Sequence, residues 1–337
     1  MLESEEVKIL HVCAGWQPWN GAANIARMIM DEQRREGREV SSATWAKVRE
    51  LRTADEVWIH CGWLPCLWWA ALWGRNVRWM PEACYDPVRL RYHGWKKWLV
   101  GPIERWCLRR CAKIVATCEA EAEWIRAYEP RVKSIEVTDI KRFFKLKPAS
   151  SPITNLPANS SAIASAKADP PSLHLLYLGR RHPLKGLSYL ETALATYYNK
   201  WSSAPSSLAP TTACADNPSS NPSRKAATYY NKCPIEFRVV SDAFGDELER
   251  VWDWCDVLVL PTLSENFGLV VAEALERGKR VITTDGAPAW NHEIHETHEK
   301  GVWSGYGGRL IYLKGYRDGT DEERVELLKK AIERICK

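Results

Sequence analysis

The chain has 337 residues, more than the roughly 250 at which a single hydrophobic core stops growing, so two domains are expected. With 45% hydrophobic and 26% charged residues, its composition is that of a globular protein, which excludes a fibrous or wholly disordered chain. The net charge of +5 is too small to indicate nucleic acid as a partner.

The first half of the chain alternates predicted strands with predicted helices. Residues 7–13 form a short apolar strand, and residues 21–35 form a helix with Ile25 and Ile29 on its apolar face. Such alternation predicts a parallel sheet. We assign residues 1–147 to an N-terminal Rossmann-like domain. Further strands are predicted at 57–60, 77–80, 114–117 and 134–137, with helices at 64–73, 95–110 and 119–128.

The second half repeats this alternation after a change of composition. Residues 148–170 are rich in Pro, Ala, Ser and Asn and predict a disordered linker. Residues 171–337 predict a second Rossmann-like domain. A low-complexity insert at 201–225 stands between two copies of the hexapeptide ATYYNK. Strands are predicted at 173–178, 235–240, 257–260, 280–284 and 309–312, with helices at 185–198, 246–254, 268–277 and 320–335.

Residues 256–283 carry the most informative pattern. An apolar strand is followed by a loop with Glu265 and by a helix that begins near Gly268 and contains Glu273. The unpaired N–H groups of a helix that follows a strand suit a phosphate. The two carboxylates can accept hydrogen bonds from sugar hydroxyls. An acidic helix start that only favours the helix dipole is the structural alternative.

This segment resembles a signature of the retaining, GT-B-fold glycosyltransferases of group 1, also called family 4. Residues 265–274 read ENFGLVVAEA and match the family pattern E-x-F-G-x-x-x-x-E-A. The resemblance implies an α/β fold of two doubly wound Rossmann-like domains that face each other across a cleft. It also implies that Glu265 contacts the hydroxyls of the donor sugar and that Glu273 holds the nucleotide ribose. The donor would also be contacted by Asn266, Phe267, Gly268 and Leu269.

A second motif agrees with the first. Residues 179–186 read GRRHPLKG and resemble the family's G-R-x-x-P-x-K-G loop. The resemblance implies that Arg180 and Lys185 clamp the donor diphosphate. Charge-assisted hydrogen bonds to the phosphates can strengthen as the leaving diphosphate gains charge.

The N-terminal half matches the family less closely. Its loop of residues 15–21 resembles the family's glycine-rich loop near the donor phosphates, with Asn20-Gly21 where a double glycine is common. His60 follows a predicted strand, as a histidine does in many members. The family's T-x-H-G segment is absent, and Glu82 falls closest to its histidine. His60 and Glu82 are therefore candidates for the acceptor side.

Residues 89–113 are strongly basic and rich in tryptophan. They contain eight Lys or Arg residues and a single acid, Glu104, with Trp95, Trp98 and Trp106 between them. Basic residues and tryptophans of this kind suit an anionic membrane surface. An amphipathic helix packed on the sheet, with its charges in water, is the alternative.

The resemblance implies transfer of a hexose-type sugar from a nucleotide diphosphate sugar, with retention at the anomeric carbon. The acceptor would be a glycan or a lipid-linked molecule, such as the lipopolysaccharide core or another cell-surface glycolipid. No D-x-D sequence occurs, so we expect Arg180 and Lys185 to take the place of a metal. No cofactor besides the donor substrate is implied. The alternatives are a GT-B-fold epimerase or phosphorylase and a non-catalytic sugar-nucleotide-binding protein.

The sequence also predicts a cytoplasmic location. No apolar run approaches the roughly 18 residues that would mark a transmembrane helix. Residues 1–6 are acidic and lack the basic start of a signal peptide. Peripheral attachment to the inner face of the cell membrane would follow if the basic segment binds lipid.

Overall fold

The computed structural model describes residues 7–18, 20–62, 64–146, 172–201, 234–293 and 300–336. The predicted linker at 148–170 lies outside these residues, as does the predicted insert at 201–225 except for Trp201. The chain forms two compact units. The first consists of Met1–Lys147, Leu263–Arg277 and Asp285–His295, and the second of Pro148–Thr262, Gly278–Thr284 and Glu296–Lys337. Residues 263–277, which follow the predicted linker in the chain, thus pack with the first unit.

The first unit is built on a six-stranded parallel sheet with the strand order β2-β1-β3-β4-β5-β6. Cys13 of β1 pairs with His60 of β3, and His60 pairs with Met80 of β4, so three strands end at the same edge. The strand order reverses between β1 and β3, where such sheets form a ligand crevice beyond the carboxyl ends. The strands are β1 (Lys8–Cys13), β2 (Glu39–Ala43), β3 (Glu56–His60), β4 (Val77–Met80), β5 (Lys113–Ala116) and β6 (Ile135–Val137).

Helices pack on this sheet through apolar faces. Helix α1 buries Ile25 and Ile29, as the apolar spacing predicts, and Asn20 caps its first turn. Trp79 of β4 is fully buried in the core. The helices of this part of the chain are α1 (Gly21–Arg35), α2 (Val48–Thr53), α3 (Pro65–Trp73), α4 (Pro87–Tyr92), α5 (Gly94–Arg110) and α6 (Glu119–Tyr128).

The second unit contains another six-stranded sheet, with the order β11-β12-β10-β9-β7-β8. The strand pairs are parallel except that the edge strand β11 runs antiparallel to β12. Its strand order reverses between β7 and β9. The strands are β7 (Leu173–Leu178), β8 (Ile235–Val240), β9 (Val257–Leu260), β10 (Arg280–Thr284), β11 (Gly301–Gly305) and β12 (Leu310–Lys314).

Four α-helices follow β7 within the residues that the structure describes. Helix α10 begins with a capping box in which Thr320 and Glu323 each bond the other's backbone N–H. The helix predicted from Lys185 begins instead at Leu187, because Pro183–Lys185 forms a separate 3-10 turn that ends at Gly186. The helices are α7 (Leu187–Trp201), α8 (Asp246–Trp254), α9 (Leu269–Glu276) and α10 (Asp321–Ile335).

The structure confirms the predicted fold class, since both sheets are predominantly parallel and Rossmann-like. Within the described ranges, no helix combines the length and the hydropathy needed to cross a membrane.

Candidate active site

The motif at residues 265–274 lies on the loop and helix that follow strand β9. Gly268 precedes α9 with left-handed backbone angles, φ 73° and ψ 64°. Glycine adopts this conformation without the steric cost that other residues meet. The N–H of Val271 donates to the carbonyl of Gly268 at 2.9 Å, which closes the first turn. The remaining N–H groups of that turn can point at a ligand.

The middle of the motif is buried. The ring of Phe267 stacks on the ring of Phe144, with 6.0 Å between the centroids. The backbone carbonyl of Phe267 accepts a hydrogen bond from the Trp290 indole at 2.6 Å. Asn266 Oδ1 accepts a hydrogen bond from the Thr117 hydroxyl at 2.8 Å. Asn266 Nδ2 is buried and has no hydrogen-bond partner among the described residues. It is therefore an unused donor in this segment.

The two glutamates of the motif are half-buried. The N–H of Glu265 donates to the carbonyl of Gly286 at 2.7 Å, and its Oε1 accepts from the N–H of Asn266 at 3.2 Å. Glu273 lies one turn inside α9. Carboxylate oxygens accept hydrogen bonds, as the binding of sugar hydroxyls would require.

The loop before α1 approaches the start of α9. A Cβ atom on Gly21 would lie 3.9 Å from Cδ1 of Leu269, so these two predicted donor-site residues are brought together. Asn20 Oδ1 accepts from the N–H of Ala22 at 3.1 Å, and its Nδ2 donates to the carbonyl of Gly15 at 2.7 Å. The asparagine that replaces a glycine of the family pattern therefore caps α1 and ties down the loop.

On the predicted acceptor side, a buried chain of side chains leads from Gln33 to Glu82. His11 Nε2 lies 2.8 Å from Gln33 Oε1, and His11 Nδ1 lies 2.9 Å from His60 Nε2. Because Gln33 Oε1 only accepts, His11 Nε2 carries a proton and His11 Nδ1 accepts from His60 Nε2–H. His60 Nδ1 is then unprotonated, and it lies 3.6 Å from Glu82 Oε1.

Burial determines the protonation states of these titratable side chains. It lowers the pKa of His11 to about 4 and the pKa of His60 well below its usual value. Burial also raises the pKa of Glu82 well above its usual value, with the charges of Cys61 and Glu121 acting in the same direction. At neutral pH both histidines are therefore neutral, and burial favours the protonated form of Glu82. Because His60 is neutral, its Nδ1 and Glu82 Oε1 do not form an ion pair.

Strained backbone conformations accompany these side chains. Cys61, Glu82 and Ala83 have φ angles of 69°, 56° and 58°, which residues with a Cβ rarely adopt. All three follow the carboxyl ends of β3 and β4. Such strain concentrates at functional sites, where the surrounding structure holds the backbone in place.

Sequence reasoning missed a polar network beside this loop. Ser264 donates a hydrogen bond to the Asp86 carboxylate and accepts one from Arg89 Nε at 3.2 Å. The other oxygen of Asp86 accepts from the N–H of Val88 at 2.8 Å and caps α4. Asp86 followed by proline is a helix-start signal that could have located α4. No local signal links it to Ser264, which is 178 residues away.

In the second unit, Arg180 and Lys185 lie on the loop after β7, next to the point where the strand order reverses. Arg180 is exposed and Lys185 is half-buried. Gly186 ends the 3-10 turn with φ 65°, and a Cβ there would lie 1.9 Å from the carbonyl oxygen of Pro261. The loop can therefore approach the end of β9 only with glycine at this position.

The predicted site residues belong to both compact units. Gly21, His60, Glu82 and the segment 265–273 belong to the first, and Arg180 and Lys185 belong to the second. Their roles in donor and acceptor binding stay predictions.

Two models of known protein families match the chain. The Glycosyl transferase 4-like domain matches residues 3–138, and the Glycosyl transferases group 1 domain matches residues 172–305. No curated protein matches the chain in sequence.

Solved structures share the fold. Sucrose-phosphate synthase from Thermosynechococcus elongatus is similar with a TM-score of 0.58 at 14% identity, over 97% of this chain and 89% of that one. WaaG, a glycosyltransferase involved in lipopolysaccharide biosynthesis, has a TM-score of 0.52 at 12% identity, over 96% and 90%. The catalytic domain of starch synthase IV from Arabidopsis thaliana has a TM-score of 0.51 at 9% identity, over 98% and 91%.

At these identities the structural likeness shows the fold alone, and the two domain matches supply the family. The chain is therefore a group 1 glycosyltransferase with the GT-B fold.

Proposed function

We propose that the protein transfers a hexose-type sugar from a nucleotide diphosphate sugar to a glycan or lipid-linked acceptor, with retention at the anomeric carbon. The observation that carries this proposal is the motif at 265–274. There a left-handed glycine, a helix start and two half-buried glutamates follow one another at the end of a buried strand. Helix starts of this kind suit phosphates, and carboxylates suit sugar hydroxyls.

The charges for the leaving group would come from Arg180 and Lys185. When the bond between sugar and phosphate breaks, negative charge accumulates on the diphosphate. Cations already held near that position then stabilise the transition state more than the ground state. The departing diphosphate would in turn accept the proton of the attacking acceptor hydroxyl on the same face of the sugar, so that no enzymic nucleophile is needed.

Glu82 would serve the acceptor side through its carboxyl group, whose raised pKa favours the protonated form. A protonated carboxyl group has one donor and keeps acceptor capacity on its oxygens. Its Oε1 is buried without a hydrogen-bond partner among the described residues. This group can therefore meet a hydroxyl of a bound sugar, as the missing histidine of the family pattern would.

A panel of nucleotide diphosphate sugars, monitored for released nucleotide diphosphate, tests the proposal. We expect one donor to be turned over, slowly to water and faster with an acceptor, both with and without excess chelator. A chain that binds donors but releases no diphosphate would be a non-catalytic binding protein. Epimerised donor without release would indicate an epimerase.

We also propose that helix α5 docks on an anionic membrane. Trp95, Trp98 and Leu99 are 71%, 83% and 64% exposed, which is unusual for large apolar side chains and disfavours the alternative of a fully packed helix. The face continues through Ile103 and Trp106, which border an apolar groove lined by Trp68 and Trp69 of α3.

Cations accompany the exposed tryptophans. Lys96 Nζ lies 5.6 Å from the Trp95 ring centroid, and the Arg110 guanidinium lies 4.9 Å from that of Trp106. Tryptophan prefers the membrane interface, and each basic residue near an anionic surface contributes about 1 kcal/mol. Lys97 does not take part, because it is buried and paired with Glu104.

Vesicle sedimentation tests this surface. We expect binding to vesicles rich in phosphatidylglycerol and little binding to phosphatidylcholine vesicles, with a steep loss as salt rises. Lys96→Glu and Trp98→Ser should each lower the affinity about tenfold, whereas Lys330→Glu on the exposed side of α10 should not. Equal binding to both vesicle types, or none, would contradict the proposal, and concentration-dependent dimers would point to a second copy as the occupant.

A further inference from the structure

Glu121 of α6 is a buried acid that lies between two parts of the candidate site. Its side chain is almost completely inaccessible to solvent, and burial raises its pKa. Its Oε1 accepts a hydrogen bond from the N–H of Ala83 at 2.6 Å, and its Oε2 accepts one from the N–H of Thr117 at 2.7 Å. One carboxyl group thus fastens the end of β5 to the loop that follows β4.

The bond to Ala83 falls where the backbone is strained. Glu82 and Ala83 both have left-handed angles, and such conformations persist only where neighbouring groups hold them. Glu121 supplies that hold from a helix, which is more rigid than a loop. The position of the Glu82 carboxyl group therefore depends on Glu121, although the two side chains carry out different tasks.

The bond to Thr117 leads to the motif at 265–274. The Thr117 hydroxyl lies 2.8 Å from Glu121 Oε2 and 2.8 Å from Asn266 Oδ1. Its single proton serves one of these acceptors at a time, and both oxygens are fixed around it. This contact turns the amide of Asn266 so that the unpartnered Nδ2 is the end left over for a ligand.

We propose that Glu121 and Thr117 are positioning residues for sugar transfer, which hold the loop bearing Glu82 through Ala83 and orient Asn266 through the Thr117 hydroxyl. This inference rests on the proposed function, because it concerns the same site. Neither residue touches the reacting atoms. Their effect on the reaction passes through Glu82 on one side and Asn266 on the other.

The Thr117→Val variant separates this role from a general role in stability. Valine keeps the shape and the backbone N–H but loses the hydroxyl, so kcat/KM for the donor should fall about three- to tenfold. Thr117→Ser restores the hydroxyl and should recover kcat/KM to within about twofold. Thr283→Val removes another buried threonine hydroxyl, which bonds the Leu260 carbonyl, and should leave kcat/KM unchanged.

Hydrogen exchange tests, independently of activity, whether Glu121 holds the loop through Ala83. In Glu121→Gln one of the two oxygens becomes an NH2 group that cannot accept, so the amide of Ala83, of Thr117 or of both should exchange at least about fivefold faster than in the wild type. Glu56→Gln, at the other end of β3, replaces another buried glutamate and should leave both amides protected.

The results distinguish a failure of the proposed function from a failure of the proposed positioning role. If the wild type transfers no sugar, the proposed function fails, and the exchange data still decide whether Glu121 holds the loop. If the wild type transfers sugar while Thr117→Val matches it, or Thr117→Ser fails to rescue the loss, the positioning role is overturned. Unchanged exchange at both Ala83 and Thr117 in Glu121→Gln would overturn the role of Glu121 in holding the loop.

Discussion

At the scale of single residues, His11 shows how burial fixes a charge state. The imidazole lies between Gln33 and His60 with no access to solvent, so its protonation would place a cation in the core. In the neutral ring Nε2–H donates to Gln33 and Nδ1 accepts from His60, so the contact with Gln33 determines which nitrogen of His60 carries a proton. The consequence at the far end is a lone pair on His60 Nδ1 that faces Glu82.

This burial predicts that acid destabilises the protein. The pKa of His11 is lowered from 6.5 to about 4, so between these pH values the unfolded chain binds a proton that the folded chain does not. The stabilisation is complete above about pH 6.5 and is lost as the pH falls toward 4. From pH 7 to pH 5 the free energy of unfolding should decrease by about 2 kcal/mol through His11 alone.

Urea unfolding of the wild type and of His11→Gln at both pH values measures this contribution. Glutamine keeps a donor and an acceptor but does not titrate, so its free energy of unfolding should depend less on pH by about that amount. Parallel curves for the two proteins would show that His11 is already protonated in the folded state at pH 5.

Glu273 carries the second prediction at this scale. If its carboxylate accepts both ribose hydroxyls, Glu273→Ala should weaken nucleotide diphosphate binding by about 1–3 kcal/mol and leave the fold intact. Glu322→Ala, which removes an exposed glutamate from α10, is the matched control. Calorimetry that finds equal affinity for the two variants would remove the ribose role from Glu273.

At the scale of elements, the loop after β7 depends on one glycine. Gly186 combines φ 65° with a backbone carbonyl 1.9 Å from the site of a Cβ, so Gly186→Ala must move either the loop or the end of β9. We expect a loss of at least about 2 kcal/mol in the free energy of unfolding. Gly37→Ala has a similar φ of 82° with open space around the added Cβ and should cost about 1 kcal/mol. Equal losses in thermal or urea unfolding would contradict the close approach.

Most elements that build the two sheets could be predicted from the sequence, because buried parallel strands such as β3 and β9 are short apolar runs bounded by polar residues. Strand β2 was missed because its sequence, EVSSA, is polar and mostly exposed at a sheet edge. Strand β11 was missed because two glycines bound it and its pairing is antiparallel. Edge strands of this kind depend on their neighbour more than on their own pattern.

The part of the candidate site that is continuous in the sequence could be predicted. Gly268, Glu265 and Glu273 form one continuous pattern, and the left-handed angle at Gly268 explains why glycine stands there. The contacts of Thr117 with Asn266 and of Asp86 with Ser264 join residues 149 and 178 positions apart. Single-sequence patterns carry no information about such pairs, so Glu121 and Thr117 were visible only in the structure.

At the scale of the whole molecule, the tryptophans include two contrasting groups among the residues that the structure describes. Trp79, Trp252 and Trp290 are fully buried and fill the cores. Trp95 and Trp98 are exposed on one helix beside cations, where they contribute nothing to a core. This division lets the average composition of a globular protein coexist with the exposed tryptophan surface that is proposed to bind lipid.

Electrostatics makes a prediction for the whole reaction. Lys185→Ala should lose at least about 2 kcal/mol of transition-state stabilisation, roughly a thirtyfold loss in turnover, because the diphosphate gains charge as the glycosidic bond breaks. The Michaelis constant for the donor should rise less than turnover falls. Steady-state kinetics measures both quantities, and a variant with raised Michaelis constant but unchanged turnover would contradict a transition-state role.

The most direct test of the proposed mechanism is the anomeric configuration of the first product formed. Proton NMR of a reaction with the donor found in the panel, run in excess chelator, reads that configuration from the coupling constant of the anomeric proton. A group 1 glycosyltransferase whose diphosphate is held by Arg180 and Lys185 should form product under these conditions and keep the configuration of the donor sugar. An inverted product, or transfer that chelator abolishes, would contradict the mechanism proposed for these residues.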